Sequence, residues 1–287
     1  MTKNIRCESL ATGKRVAIPD TVEISGGRIV LGDDVQIGEH VRIEVTESLN
    51  VGKGSIIGAH SLIRGRDITL GREFYGNHHA EIGGGSCFEA TSKLRAGYWC
   101  HLGSYSMINT AMPVEIGNEF GQGRFSNIYT HGAYLSLLEG FPVEFAPVRI
   151  GNRVWLPNAT VNPGVTLGND IVVGAGSVVT KDLPSGCLAL GVPCRVVKEN
   201  AYPVLFSAEE KLSRVDRIFA RWSVPYKTLD PSLPLVQIDK AHFDLSAMTI
   251  TGAVSKSSEQ ARNYLRRHGI RFPVETDSGV YERWRET

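Results

Sequence analysis

The chain has 287 residues, 42% of them hydrophobic and 21% charged, enough to bury a sizeable core in one large domain and a smaller one. Its formal net charge of +1 supplies no basic excess for a nucleic-acid backbone or an anionic membrane surface, so an anionic ligand has to be held by a few placed cations. No apolar run reaches the roughly 18–20 residues of a membrane span, the start MTKNIRCESLATGKR lacks a signal-peptide core, and the five cysteines include no Cys-x-x-Cys pair; a cytoplasmic protein with reduced thiols is expected.

Along the chain, apolar residues return every six positions, usually followed by glycine or another small or polar residue. Leu31, Ile37 and Ile43 form one run, Val51, Ile57 and Ile63 a second, and Ile82, Phe88 and Leu94 a third. The position four residues on is small or apolar too, as at Val35, Val41, Ser55, Ser61, Ser86, Ser92 and Ser177. A period of six fits neither a helix nor an alternating hairpin. It fits a coil with three flat sides whose inward residues stack rung upon rung, each rung burying its apolar face against its neighbours. An ordinary β-sandwich does not repeat its turns at a fixed six.

Residues 131–147, HGAYLSLLEGFPVEFAP, carry no hexad and predict a long loop projecting from the coil between Ile128 and Ile150. Between Ile150 and Val161 the spacing is eleven rather than twelve, so one residue is missing from the repeat. The period then resumes at Val161, Leu167, Val173 and Val179.

After Val197 the glycines thin out. Ser207 with Glu210 reads as a capping box, and Leu212, Val215, Ile218, Phe219 and Trp222 then fall on one side of a helix. LPLVQID and HFDLSAMTITG read as two strands, and Ser257 with Gln260 opens a second helix that Gly269 ends. Arg262, Arg266 and Arg267 read as a solvated helix surface. The expected organisation is a coil domain over residues 1–200 and a small α/β appendage over 201–287.

The segment from Ile116 to Lys198 contains, in order, YTHG, APVRIGNRVW, NPGVTLGNDIVVGAGSVVTKDLP and GVPCRVVK. In this it resembles the hexapeptide-repeat acyltransferases, closest to the galactoside and maltose O-acetyltransferases and the xenobiotic acetyltransferases. The resemblance implies an all-β fold, a left-handed parallel β-helix, with acetyl-coenzyme A as acyl donor, a sugar-like hydroxyl as acceptor, no metal, and a homotrimer with active sites between adjacent coils. General folding rules favour right-handed crossovers, so the hand is taken from the resemblance alone.

By the same resemblance His131, just before the long loop, is the general base, since a hydroxyl needs a group titrating near neutrality to take its proton as it attacks the thioester. The oxyanion donor falls just after Trp155. There Leu156, Pro157 and Asn158 stand one residue short of the family pattern, and because proline has no N–H the backbone of Asn158 is the expected donor. Trp155, Ala175 and Thr180 are expected beside the pantetheine arm, with Lys181, Arg195 and Lys198 near the phosphates. Tyr129 and Tyr134 are candidates for the acceptor pocket, although GSYSMINT does not align cleanly with the family's acceptor-binding stretch. Cys194 is expected to be a spectator thiol.

Other readings of the same residues are an N-acetyltransferase of a nucleotide-linked amino sugar, a non-catalytic coil scaffold, and a metal-dependent carbonic anhydrase of the γ type. The last needs three convergent histidines. His78 and His79, read as strand neighbours, point to opposite faces.

Overall fold

A computed structural model describes residues 4–230 and 232–272. The chain divides into two compact units, one ending at Pro203 and the other starting at Val204.

The first unit is a β-solenoid in two sheets of thirteen and nine strands, all parallel except for the closing antiparallel pair Leu188–Gly191 and Cys194–Lys198. The inward residues stack in register down each side. On one side Ile24, Ile43, Ile63, Ile82, Ile108, Ile128, Val161 and Val179 lie above one another. On the second the row is Leu31, Val51, Leu70, Ala96, Ile116, Ile150 and Leu167. On the third it is Ile37, Ile57, Gly76, Leu102, Gln122 and Leu156. All are buried, and each packs only against rungs above and below, so the array is cooperative along its axis.

The first coils are longer than three hexads. Glu23–Leu31, Arg42–Val51 and Leu62–Leu70 each run across two sides in one bent strand, with register shifts at Gly26/Arg28 and Val45/Ser48 absorbing the surplus residues. Gly26 makes the bend possible: its φ is +116° and a Cβ there would stand 1.6 Å from the Val45 carbonyl oxygen. The third sequence run is corrected in part. Ile82 and Leu94 point inward, but Phe88 lies in a turn, half-buried with the Arg64 guanidinium 5.1 Å from its ring. Ser86, in that turn, is exposed.

The inward serines tie successive turns together. Ser61 Oγ donates to the Asn77 carbonyl (3.0 Å) and accepts from Ala80 N–H (3.3 Å), and Ser55 does the same for Gly71 and Phe74 at 3.1 Å each. A buried hydroxyl is tolerated here because both of its hydrogen-bonding capacities are met.

One corner carries a ladder of rings. His40, His60, His79, Tyr105 and Phe125 all have positive φ, between 55° and 60°. They stack at centroid spacings of 5.0, 4.9, 4.8 and 5.6 Å. His78 and His79 are therefore corner residues rather than strand neighbours, with their rings edge to face at 5.6 Å. Among the described residues no group of three or more His, Cys, Asp or Glu side chains is placed to hold a metal ion.

The second unit contains α1 (Ala208–Trp222), four antiparallel strands and α2 (Lys256–Arg267). The expected capping box of α1 is present, with Glu210 N–H donating to Ser207 Oγ. The box of α2 is formed by Ser255 and Ser258, two residues earlier than expected. HFDLSAMTITG is two strands, because the Asp244 carboxylate accepts from the backbone N–H of Ser246 (2.7 Å) and Ala247 (2.8 Å) and turns the chain between Lys240–Asp244 and Thr249–Ala253. Lys227–Asp230 adds a strand that the sequence pattern does not announce. Arg262 is not a surface residue: it is 4% exposed and paired with Glu259 at 3.0 Å. Among the described residues no helix is long and apolar enough to cross a membrane.

Candidate active site

The long loop leaves the coil after the strand Asn127–Ile128 and rejoins it at Val148–Ile150. Its base is a short antiparallel ladder in which His131 lies opposite Phe145 and Gly132 opposite Glu144, closed by Ala146 N–H donating to the Thr130 carbonyl (2.9 Å). The Phe145 ring stacks on the imidazole of His131 at 5.2 Å. The ring is thus held by packing as well as by its backbone.

A hydrogen-bond network fixes its orientation. Asn109, 2% exposed, donates through Nδ2 to the carbonyls of Gly83 (3.0 Å) and Gly85 (3.1 Å). Those two bonds leave Oδ1 facing the other way, where it accepts from Thr130 Oγ (2.6 Å) and lies 2.8 Å from His131 Nδ1. An amide oxygen can only accept, so Nδ1 carries the proton and Nε2 keeps its lone pair. Gly85 leaves Nε2 room, since a Cβ there would stand 3.3 Å from it. The result is a half-buried imidazole with its basic nitrogen defined, a geometry suited to taking a proton from a hydroxyl.

Asn109 is the functional residue that the sequence reading missed. Its signal was a polar residue directly after inward Ile108, in a position that the coil buries.

Trp155 lies on the outer side of the nine-stranded sheet, in register with Gly121 on one side and Val172 on the other. A Cβ on Gly121 would come within 2.4 Å of the indole, so the glycine makes space for the ring. Asn158 sits at the corner that follows, and Gly176 N–H of the next coil donates to its carbonyl (2.6 Å). The missing residue of the repeat falls at this turn. Ser126 Oγ spans it, donating to the Leu156 carbonyl (2.9 Å) and accepting from Ala159 N–H (3.1 Å).

The remaining sequence-predicted residues are exposed: Ala175 at the Asn158 corner, Thr180 and Lys181 after the strand Ser177–Val179, and Arg195 and Lys198 in the closing hairpin. Tyr129 is 37% and Tyr134 97% exposed. Cys194 is buried, and burial pushes its thiol up, away from the thiolate a nucleophile requires.

These residues do not converge within one chain. The strands carrying Asn127–Ile128 and Ala159–Val161 pair with Asn127 opposite Thr160. Asn158 therefore precedes this side of the coil and His131 follows it, six positions apart in register, up to about 20 Å at ~3.3 Å per residue. Thr180 and Lys181 lie toward the His131 end, and Trp155, Asn158 and Ala175 toward the other.

This coil, with its glycine-punctuated rungs, is a β-solenoid of hexapeptide repeats. Residues 147–181 match the family model described as bacterial transferase hexapeptide (six repeats). It is 56% identical over 54 residues to the galactoside O-acetyltransferase of Escherichia coli (strain K12), covering 18% of this chain and 27% of that protein. The chain spans between 27% and 38% of the length of the curated relatives it matches. Among solved structures it is similar to a galactoside acetyltransferase in complex with coenzyme A, with 26% identity, coverage of 55% and 72%, and a TM-score of 0.35. It is also similar to the polySia specific acetyltransferase NeuO, with 16% identity, coverage of 76% and 96%, and a TM-score of 0.40.

Proposed function

We propose that the protein transfers an acetyl group from acetyl-coenzyme A directly to a hydroxyl of a sugar-like acceptor, with His131 as general base. The observation that carries this is the Asn109 amide oxygen on His131 Nδ1, which leaves Nε2 free to accept. Nε2 takes the acceptor proton as the oxygen attacks the thioester carbonyl; a C–O bond forms, the C–S bond breaks, and the leaving thiolate recovers the proton from the imidazolium. The backbone N–H of Asn158 is assigned to the developing oxyanion. Trp155, Ala175 and Thr180 are assigned to the pantetheine arm, Lys181, Arg195 and Lys198 to the phosphates, and Tyr129 and Tyr134 to the acceptor side.

The separation of His131 from Asn158 within one chain supports a site completed by a neighbouring copy. The loop after His131 offers a surface for it, exposing Leu135, Leu137, Leu138, Phe141 and Val143 next to the base. A homotrimer is the expected assembly.

The test is thiol release from acetyl-coenzyme A with a panel of hydroxyl and amino sugars, on the parent and His131→Ala, with the mass of each assembly measured in solution. Release that requires a hydroxyl sugar and falls at least about 10²-fold in the variant is expected. Transfer to amino sugars alone refutes the acceptor assignment, and a parent that neither binds coenzyme A nor releases thiol refutes the transferase.

A further inference from the structure

The ring ladder at the corner stops short of the closing hairpin, and the missing residue of the repeat is the reason. Gly103 packs against the backbone of Gly123 and Arg124, and Gly123 in turn against Pro157. Gln122 pairs with Leu156 and Asn127 with Thr160, so Pro157 and Asn158 stand where the previous coil has three residues, and neither has the positive φ of the ladder's corner residues. The ladder therefore has no ring on this coil, because the corner residue that would continue it is the one absent.

One coil further on, the corner residue is Gly176, where a Cβ would meet nothing within 4 Å. The corner is therefore open for two rungs. At ~4.8 Å between strands, Phe125 and Gly176 are separated by about 9.6 Å, room for one intervening ring.

Phe125 forms the floor of this notch. It is 50% exposed and, among the described residues, its ring contacts are Tyr105 at 5.6 Å and the Arg124 guanidinium at 4.6 Å. Arg124 lies 5.2 Å from the Tyr105 ring as well, so it flanks the two rings, and Phe125 stays half-exposed. The rim is polar, with the exposed Arg124 and Asn158 side chains.

We propose that the notch is a sugar-binding subsite in which the C–H face of a pyranose stacks on Phe125, while Arg124 and Asn158 hydrogen-bond its hydroxyls. The match is one of chemistry. A pyranose is an amphipathic disc with an apolar C–H face and a girdle of hydroxyls, and its polarised C–H groups complement the negative face of an aromatic ring. A floor aromatic on one side only, with donors and acceptors at its edge, suits such a disc; a flat apolar ring would leave the rim groups unpaired. The subsite deepens the transferase reading, because a sugar held there lies beside Asn158, the assigned oxyanion donor.

The experiment measures sugar binding without turnover. Saturation-transfer NMR and titration of the full chain with methyl β-galactoside and with maltose are compared for the parent, Phe125→Ala and Phe125→Tyr, with acetyl-coenzyme A titrated separately. Phe125 is exposed, and thermal melts check that each variant is folded. The expected result is saturation of sugar ring protons in the parent, affinity weakened about five-fold or more in Phe125→Ala, retention in Phe125→Tyr, and unchanged acetyl-coenzyme A affinity. Equal sugar affinity in Phe125→Ala overturns the subsite. So does a loss confined to acetyl-coenzyme A, which makes the notch part of the donor site, or a parent that binds neither sugar. A parent that binds sugar through Phe125 yet releases no thiol refutes the transferase reading and leaves the subsite standing.

Discussion

Replacing Asn109 by alanine separates the orientation of His131 from its presence. The substitution removes six contacts: donation to the Gly83 and Gly85 carbonyls (3.0 and 3.1 Å), acceptance from Thr130 Oγ and His131 Nδ1 (2.6 and 2.8 Å), and longer acceptance from the backbone N–H of Thr130 (3.3 Å) and Ala111 (3.4 Å). Two of the partners keep other bonds, since Thr110 N–H still donates to the Gly83 carbonyl (3.0 Å) and Thr130 Oγ to the Asn109 carbonyl (3.2 Å). Gly85 is exposed and His131 half-exposed, so water can replace Asn109 there, whereas the N–H groups of Thr130 and Ala111 are buried and lose their acceptor. The two orphaned N–H groups were held by long bonds, and the stability cost is about 2–3 kcal/mol. The cost to catalysis is separate, because the imidazole is no longer confined to one tautomer or one direction; kcat of the folded protein is expected to fall about 10²-fold while KM for acetyl-coenzyme A stays within about two-fold. Steady-state kinetics with a thermal melt measure both effects, and ¹⁵N NMR of the His131 ring reads the tautomer directly. A parent ring protonated on Nε2 refutes the reasoning, as does a folded Asn109→Ala protein with kcat within about three-fold of the parent.

Three further outcomes follow from the same coordinates. Gly121→Ala places a Cβ 2.4 Å from the Trp155 indole; the ring has to shift, and KM for acetyl-coenzyme A is expected to rise roughly ten-fold with the fold intact, whereas an unchanged KM removes Trp155 from the donor site. Burial pulls the Asp67 carboxyl up, but hydrogen bonds from Arg95 and Ser48 outweigh it and hold the group below its ordinary 3.8. A depressed folded-state pKa stabilises above the ordinary value and loses that stabilisation as pH falls through the folded one, so Asp67→Asn is expected to melt below the parent at neutral pH and to converge with it as pH falls below the ordinary 3.8; a gap constant with pH refutes this. Burial pushes the thiols of Cys87, Cys187 and Cys194 up, and Cys100 is buried too. At neutral pH a thiol reagent should modify only the half-buried Cys7 before the protein unfolds. Rapid native modification of Cys194 contradicts that picture.

The hexad exposed the coil because its period is set by one requirement, that every sixth residue face the interior, and Leu31, Ile37, Ile43, Val161, Leu167, Val173 and Val179 all meet it. That rule reports which side of the strand a residue faces and is silent about turns. Phe88 keeps the spacing yet lies in a turn, because the coil from Ile82 to Ile108 is longer than its neighbours. His40, His60 and His79 are separated by 20 and 19 residues, intervals that look unrelated to a period of six. Only the register of the bulged strands brings them to one corner, where they stack rather than converge on an ion.

The candidate site divides along the same line. His131 was legible because the loop after it breaks the repeat, and its partner was not, because Asn109 is polar in a row that otherwise advertises itself by being apolar. The missing residue near Asn158 was visible as a spacing of eleven, and its meaning lay in what it should have covered. In a solenoid each side chain is the lid of the one below, so a deletion uncovers a neighbour many residues away in sequence, and here that neighbour is the ring of Phe125. Sequence spacing counts along the chain, whereas exposure in a stacked fold is decided across it, one coil at a time.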